Sequence, residues 1–426
     1  FGRTAGPRST LAGGALSCFR GMTAHCSPGD ASAEGKGRAL AHLLVTMIGI
    51  GYLFPIAAIW SAFDFWKALF PGSNIEFSVT VVYQAFSTIT VAALSVSESF
   101  ALRRRILFGF GGQFACLAAI LAFRWLALPE AVLFHVLLSL VALCAIATGH
   151  LDSALLALCS RYSASMQQSL QIGIGLGTLV SVMYRDFTKL MLPGEVTDAT
   201  SAFFIVALLT ILACVSSFEW LMMLPISQFC WGATAAPLLD REVAEELEVT
   251  PPASVGSVWR LTWRNQMTIF LNFLITMVFY PGLLVSIPCR QMAALRPNQW
   301  FQELLLTAFT VADICGRFSM GRRLGLNSGN IHLTVLLRAV LFPCAIVCIV
   351  YPQATDVLAL VVAVVFGFLN GYCLGLSLVV VVEIPGMTQE QRTTCGRLSA
   401  CSVSAGLCAG SFASAGVAAA LGLAGA

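Results

Sequence analysis

Eleven stretches of mostly apolar residues run through this chain, at roughly 41–63, 77–100, 105–126, 131–158, 165–187, 201–224, 267–288, 299–320, 331–351, 357–382 and 398–424. A helix that crosses the hydrocarbon of a bilayer needs about 20 such residues. Within lipid its backbone N–H and C=O groups must pair with each other, which a helix does by itself. The pattern therefore predicts an all-α polytopic membrane protein with eleven transmembrane helices. Composition agrees, with 58% hydrophobic and 11% charged residues over 426 positions. A soluble chain carries about 25% charged residues and could not hide this much apolar surface. The breaks carry turn or charge signals, among them "FPGSN", "LRRR", "LPGEVTD", "GRRLGLNSGN" and "YPQATD".

Lys and Arg set the expected orientation. With the N-terminus cytoplasmic, sixteen of them fall in inside segments and five, Lys67, Arg185, Lys189, Arg290 and Arg296, fall outside. Eleven spans then put the C-terminus outside. Residues 1–38, rich in Gly, Ala, Ser and Arg, read as a disordered cytoplasmic tail. Residues 39–224 read as a six-helix bundle, 225–266 as a cytoplasmic linker bearing the acidic run "LLDREVAEELEV", and 267–426 as a five-helix bundle. A net charge of +3 argues against a nucleic-acid partner. The fifteen cysteines are scattered, form no CxxC and show no zinc spacing, so they read as small buried hydrophobes. No metal or other cofactor is expected.

Small residues recur every four positions: Gly173 and Gly177, Gly367, Gly371 and Gly375, Gly406 and Gly410. That spacing lines one helix face and lets two backbones approach closely. "GIGLG" is not read as a phosphate loop, because neither the preceding strand nor the following Lys is present.

One apolar stretch contains "VADICGRF", with Asp313 and Arg317 one helical turn apart. A lone ionised side chain at the bilayer centre costs roughly 2.5–3.5 kcal/mol, and such residues face a protein interior or a wet cavity. At i, i+4 the two share a face and partly neutralise each other. The pair either ties its helix to a neighbour or forms a polar substrate patch. A carboxylate accepts two hydroxyl protons and a guanidinium presents a planar fork of donors, which suits a vicinal diol or a purine edge.

These residues resemble the D-x-x-G-R signature in the eighth helix of equilibrative nucleoside transporters. Span one, "GIGYLFP", is similar to that family's G-x-G-x-L-x-P. "SLQIGIGLGTL" in span five, "ITMVFYPGLLVSI" in span seven, "LRAVLFP" in span nine and "FGFLNGYCLGLSL" in span ten follow it in order. The resemblance covers about 40–424, and its Ala/Gly/Cys-rich character looks closest to protozoan members. It implies a major-facilitator-like 6+5 bundle in the plasma membrane, acting as a monomer by alternating access. It also implies nucleosides or nucleobases as substrate, with Asp313 and Arg317 on the ribose and Thr310, on the same face, as a further polar contact.

The chain departs from the family pattern in two places. Many relatives carry P-W-N in span one, where the Trp stacks on the base; here Ile56 and Ala57 follow Pro55. Trp60, four residues beyond Ile56, is the candidate replacement, and stacking of this kind is worth roughly 1–3 kcal/mol. Its alternative role is that of an interfacial belt residue. In span four relatives place a Gln that reads the base. Ungapped counting puts Asp152 there, and matching "IATGHLD" puts Thr148 there, with His150 between them. A buried Asp or His also suits a proton-coupled symporter. Gln84 is a further candidate from span two. Arg338 is expected at a cytoplasmic gate or a helix end, and Asn370 is expected to bond across helices. A porter for another small polar solute is the rival reading; no intramembrane enzyme motif is present.

Overall fold

The computed structural model describes residues 28–62, 65–66, 69–70, 75–96, 102–125, 129–162, 164–191, 196–227, 254–296 and 300–421. Among them the chain is helical, with no strand. The helices are α1 (Pro28–Ser61), α2 (Ile75–Val96), α3 (Leu102–Leu121), α4 (Glu130–Arg161), α5 (Ala164–Met191), α6 (Val196–Met223), α7 (Val255–Val278), α8 (Trp300–Ser319), α9 (Leu333–Ala339), α10 (Phe342–Val350), α11 (Asp356–Val381) and α12 (Gln389–Ala420).

Among the described residues, eight helical stretches are long and apolar enough to cross a membrane, with α9 and α10 together supplying one of them. The long helices outside that set are α5, α7 and α8. Their polar side chains lower the hydropathy, and those side chains are buried: Gln167 and Gln171 on α5, Gln266 and Asn272 on α7, Asp313 and Arg317 on α8. Large hydrophobics such as Leu43, Ile89, Leu209, Trp220, Leu336 and Val361 are instead exposed on the outside of the bundle. Apolar outside and polar inside is the arrangement that lipid selects. The chain is an integral multi-pass membrane protein.

Three helices begin well before the expected positions, by two turns or more. α1 starts at Pro28 inside the expected tail, α7 at Val255 inside the expected linker, and α12 at Gln389. In each case the added turns carry charged residues, such as Arg260 and Arg264 on α7, which hydropathy reads as loop. The acidic run of the linker lies outside the described residues.

Proline shapes two breaks. α7 ends in a π-type turn over Phe279–Leu283, where Tyr280 leaves the helical region (φ −109°, ψ 134°). Tyr280 precedes a proline in the sequence, and the residue before a proline is disfavoured in the helical region. Pro343 sits in the first turn of α10, where its missing N–H costs nothing, and this divides α9 from α10. Arg290 caps the far end of α10 by donating to the carbonyls of Cys348 (2.7 Å) and Ile349 (2.9 Å). The Asp356 carboxylate binds the same loop through the backbone N–H groups of Arg290, Gln291 and Met292. α12 opens with a capping box in which Thr388 and Gln391 each satisfy the other's backbone N–H.

The largest hydrophobic cluster draws on α1–α6 and takes in Ala400 of α12, while three smaller clusters draw mainly on α7–α12. Glycine sets the closest approaches. A Cβ on Gly173 would lie 2.2 Å from the Thr46 carbonyl oxygen, and one on Gly177 would lie 2.4 Å from that of Ile50. Gly367 and Gly371 stand equally close to α8, and Gly406 and Gly410 to α7. Hydrogen bonds also join the first six helices to the later ones. They run from the middle of α12 toward its start: Thr88 Oγ1 donates to the Ser404 carbonyl halfway along α12 (3.0 Å), and Ser95 Oγ, at the end of α2, to that of Arg397 (3.3 Å). Nearby, Gly396 packs against the Leu156 carbonyl.

Candidate functional site

Asp313 and Arg317 lie on the inward face of α8, 6% and 8% exposed, with Arg317 Nε donating to Asp313 Oδ2 at 2.7 Å. Helical spacing brings them together, and glycine on three sides lets their neighbours reach them. A Cβ on Gly371 would sit 1.8 Å from the Asp313 carbonyl oxygen, and one on Gly316 would sit 2.1 Å from that of Phe368. α8 and α11 therefore meet backbone to backbone. Asn370, beside Gly371, then donates from Nδ2 to Asp313 Oδ1 at 2.6 Å. Across the bundle, Gly175 of α5 leaves the space that Arg317 fills: a Cβ there would lie 2.5 Å from Arg317 Cδ. Gly173 and Gly177 face α1 while Gly175, two residues from each, faces α8. This follows from the roughly 200° that two residues turn in a 3.6-residue helix.

Arg317 thus crosses between the two sets of helices. Its Nη1 donates to the Gln171 carbonyl (2.9 Å) and to Gln171 Oε1 (3.2 Å). On the other side the polar chain continues into α7 and α9. The Asn370 Oδ1 accepts from Arg338 Nη2 (2.7 Å) and from Thr276 Oγ1 (2.6 Å). Arg338, in the last turn of α9 and wholly buried, also donates to the Asn272 carbonyl (2.6 Å) and to Thr276 Oγ1 (2.7 Å). Its guanidinium carbon lies 5.2 Å from the centre of the Phe366 ring, a cation–π approach. Asn272 Nδ2 donates to Thr334 Oγ1 at 2.9 Å. Arg338 does stand at a helix end, as expected, but its fork is spent on α7 and α11 inside the bundle.

Each Asp313 oxygen carries one protein hydrogen bond, to Asn370 or to Arg317. An ionised carboxylate has about four lone-pair sites, so both oxygens retain capacity for a ligand's hydroxyls. Thr310, one turn before Asp313 and buried, spends its proton on the Leu306 carbonyl (2.8 Å), and its side chain also meets the Tyr280 hydroxyl.

The other sequence candidates stand in three further places. Trp60 of α1 meets Tyr83 of α2 edge to face at 6.1 Å; the indole N–H has no protein hydrogen-bond partner, and the Tyr83 hydroxyl faces Thr148 of α4 without closing a hydrogen bond to it. Gln84 is buried beside Tyr83 on α2. Thr148 of α4 is buried, accepts from Gln113 Nε2 (2.8 Å) and donates to the Cys144 carbonyl (2.9 Å). Asp152, one turn further along the same face of α4, is buried against Ser404 of α12, and its Oδ1 has no protein partner. His150, two residues from each of these, is turned to the opposite side of α4, where its ring meets Phe108 of α3 at 4.8 Å. The structure therefore groups Asp313, Arg317 and Thr310 on α8, and it groups Trp60 and Tyr83 across α1 and α2. It puts Asp152 at the α4–α12 seam and His150 on the α3 side.

Sequence reasoning named neither Tyr83 nor Gln113 as candidates. A Tyr and a Gln inside apolar spans were the signal available, and nothing in one sequence says which face they take. Gln171, Asn370 and Arg338 were visible as intramembrane polar residues, but not as one connected chain.

A profile of the nucleoside transporter family matches residues 138–417 of the chain. The chain belongs to this family. It is the equilibrative nucleoside transporter family that the motifs resemble. Equilibrative nucleotide transporter 8 of Arabidopsis thaliana is 22% identical over 348 residues, covering 78% of this chain and 84% of that protein. Equilibrative nucleotide transporter 2 of the same plant is 23% identical over 407 residues, covering 88% and 94%. Among solved structures, the chain superposes on a proton:xylose symporter of the major facilitator superfamily with a TM-score of 0.65 at 13% identity, covering 91% of this chain and 89% of the other. A bacterial homologue of the iron transporter ferroportin, in an outward-facing state, gives 0.60 at 12% identity, covering 87% and 92%. The fold is that of major facilitator transporters. The chain is a transporter and not an enzyme.

Proposed function

We propose that this chain is a facilitative carrier of nucleosides, purine nucleosides such as adenosine and inosine foremost, with nucleobases as further substrates. The observation that carries this reading is the buried Asp313–Arg317 pair, which α8 presents and which reaches Gln171 on the other side of the bundle. In this reading the spare lone pairs of Asp313 accept the two ribose hydroxyl protons and the Arg317 fork donates to ribose oxygens. Trp60 stacks on the base, Thr148 or Asp152 reads its edge, and Gln84 and Thr310 complete the polar wall. His150 stays outside this constellation, because its ring turns toward Phe108.

Transport follows as alternating access. Residues 39–224 and 267–426 act as two rocking units, with the region between them as a linker, in a chain of eleven crossings with a cytoplasmic N-terminus. The end where Ser95 and Gln171 bond to the later helices is then the cytoplasmic end, and this conformation is closed there. Substrate bridging the two units replaces the Arg317–Gln171 contact, stabilises an occluded state and lets the cytoplasmic end part. The substrate gradient sets the direction. The chain works as a monomer in the plasma membrane.

A second reading, proton-coupled symport, is favoured by one observation: the buried Asp152 carboxylate has an oxygen without a protein partner. Uptake of labelled adenosine, inosine, uridine and hypoxanthine into proteoliposomes, with and without a pH gradient, separates the two. Saturable uptake that equilibrates and ignores the gradient is expected. Accumulation only with acid outside would establish the symporter instead. No uptake of any of the four by inserted protein would contradict both.

A further inference from the structure

Arg338 touches no carboxylate, is wholly buried, and lies one residue removed from the Asp313–Arg317 pair. Asn370 is the link, and its two ends are chemically distinct. The Oδ1 end faces Arg338 and the Thr276 hydroxyl; the Nδ2 end faces the Asp313 carboxylate. A guanidinium has only donors and an ionised carboxylate only acceptors. A flipped Asn370 would set its amide N–H groups against Arg338 and its carbonyl against Asp313, so one orientation survives. Arg338 in turn is held by the Asn272 carbonyl and by the face of Phe366. Bonds that join charged groups through a shared amide polarise one another in a low-dielectric interior.

We infer that Arg338 is a positioning residue that acts through Asn370 to aim the Asp313 carboxylate. With the Asn370 N–H on Oδ1, the plane of the carboxylate is fixed, Oδ2 is left to Arg317, and the remaining lone pairs point where a vicinal diol can take them. Arg338 itself does not touch substrate. The inference rests on the proposed ribose-binding role of Asp313.

The test compares uptake of inosine with uptake of 2′,3′-dideoxyinosine, which lacks the diol, in proteoliposomes containing equal amounts of full-length protein. Wild type should favour inosine. Arg338→Met, which keeps length and removes the donors, should raise the KM for inosine about tenfold, the factor that about 1.4 kcal/mol produces. It should leave dideoxyinosine within about twofold. Arg338→Gln, which still offers an amide N–H to Asn370 Oδ1, should recover most of the preference. If Arg338→Met does not insert, Asn370→Thr, which cuts the same link at its other end, should give the same loss of diol preference. An equal loss for both substrates in these variants, or an unchanged preference in Arg338→Met, would overturn the positioning role. Wild type that takes both substrates equally would instead overturn the ribose reading, and this inference with it.

Discussion

In α7–α12 a chain of buried amides, hydroxyls and guanidinium groups runs from Thr334 through Asn272, Thr276, Arg338 and Asn370 to Asp313, and each joins its neighbour by a hydrogen bond. In α1–α6 the buried polar groups are handled otherwise. The Trp60 N–H, the Tyr83 hydroxyl, Gln113 Oε1, His150 Nδ1 and Asp152 Oδ1 have no protein partner. Leaving such a group unpaired away from water costs about 1–3 kcal/mol. The difference teaches a division of labour. The later helices build a connected frame, in which only the Arg338 Nε of that chain is left without a partner, and it presents one carboxylate and one guanidinium in a fixed pose. On the proposed function, the earlier helices keep polar atoms uncommitted for a ligand whose base changes from one substrate to the next. Arg317 joins the two regions by donating across to Gln171, whose Nε2 is itself unpartnered.

The sharpest way to break this comparison is at the frame. Asp313→Asn and Arg317→Ala should each reduce nucleoside uptake at least a hundredfold, since severing a buried pair leaves one partner uncompensated at a cost of about 3–5 kcal/mol. Labelled uptake, normalised to inserted protein, checks this. A smaller effect is expected at the junction. Gly175→Ala would place a Cβ against Arg317 Cδ, and overpacking of this kind costs about 1–3 kcal/mol. Uptake should fall about tenfold, with the fall in both directions of transport, as measured by entry and by efflux from preloaded vesicles. The smallest effect belongs to the uncommitted side. Tyr83→Phe removes a hydroxyl that bonds to no protein group. Its thermal midpoint should hold or rise slightly, while the rank order of adenosine, inosine and uridine shifts a few-fold. Loss of stability in Tyr83→Phe would place that hydroxyl in the frame and erase the contrast.

How much of this was readable in the sequence follows the range of the interaction. The Asp313–Arg317 pair was legible because it depends only on helical spacing, and the glycine seams because they repeat every four residues. The apolar middles of the helices were legible too. Their charged ends on α1, α7 and α12 were not, because hydropathy cannot tell a helix that projects from the bilayer from a loop. The polar chain behind Asp313 was hidden for another reason. Its members come from α7, α8, α9 and α11, and Asn370 and Asp313 are 57 positions apart. No local pattern specifies which buried amide meets which carboxylate. The same holds for Thr148, Asp152 and His150. The sequence offers all three, and only the rotation of α4 separates the first two from the third.

The most direct measurement of the central claim is ligand binding without transport. Thermal unfolding of the purified full-length protein would be followed with inosine, with 2′,3′-dideoxyinosine and with neither, for wild type and for Asp313→Asn. A ligand that binds only the folded state raises the midpoint in proportion to its affinity. Inosine should raise that of wild type by several degrees, the dideoxy analogue should do little, and Asp313→Asn should unfold cooperatively with no response to either. An equal rise with both ligands in wild type, or a rise with inosine retained in Asp313→Asn, would contradict the account.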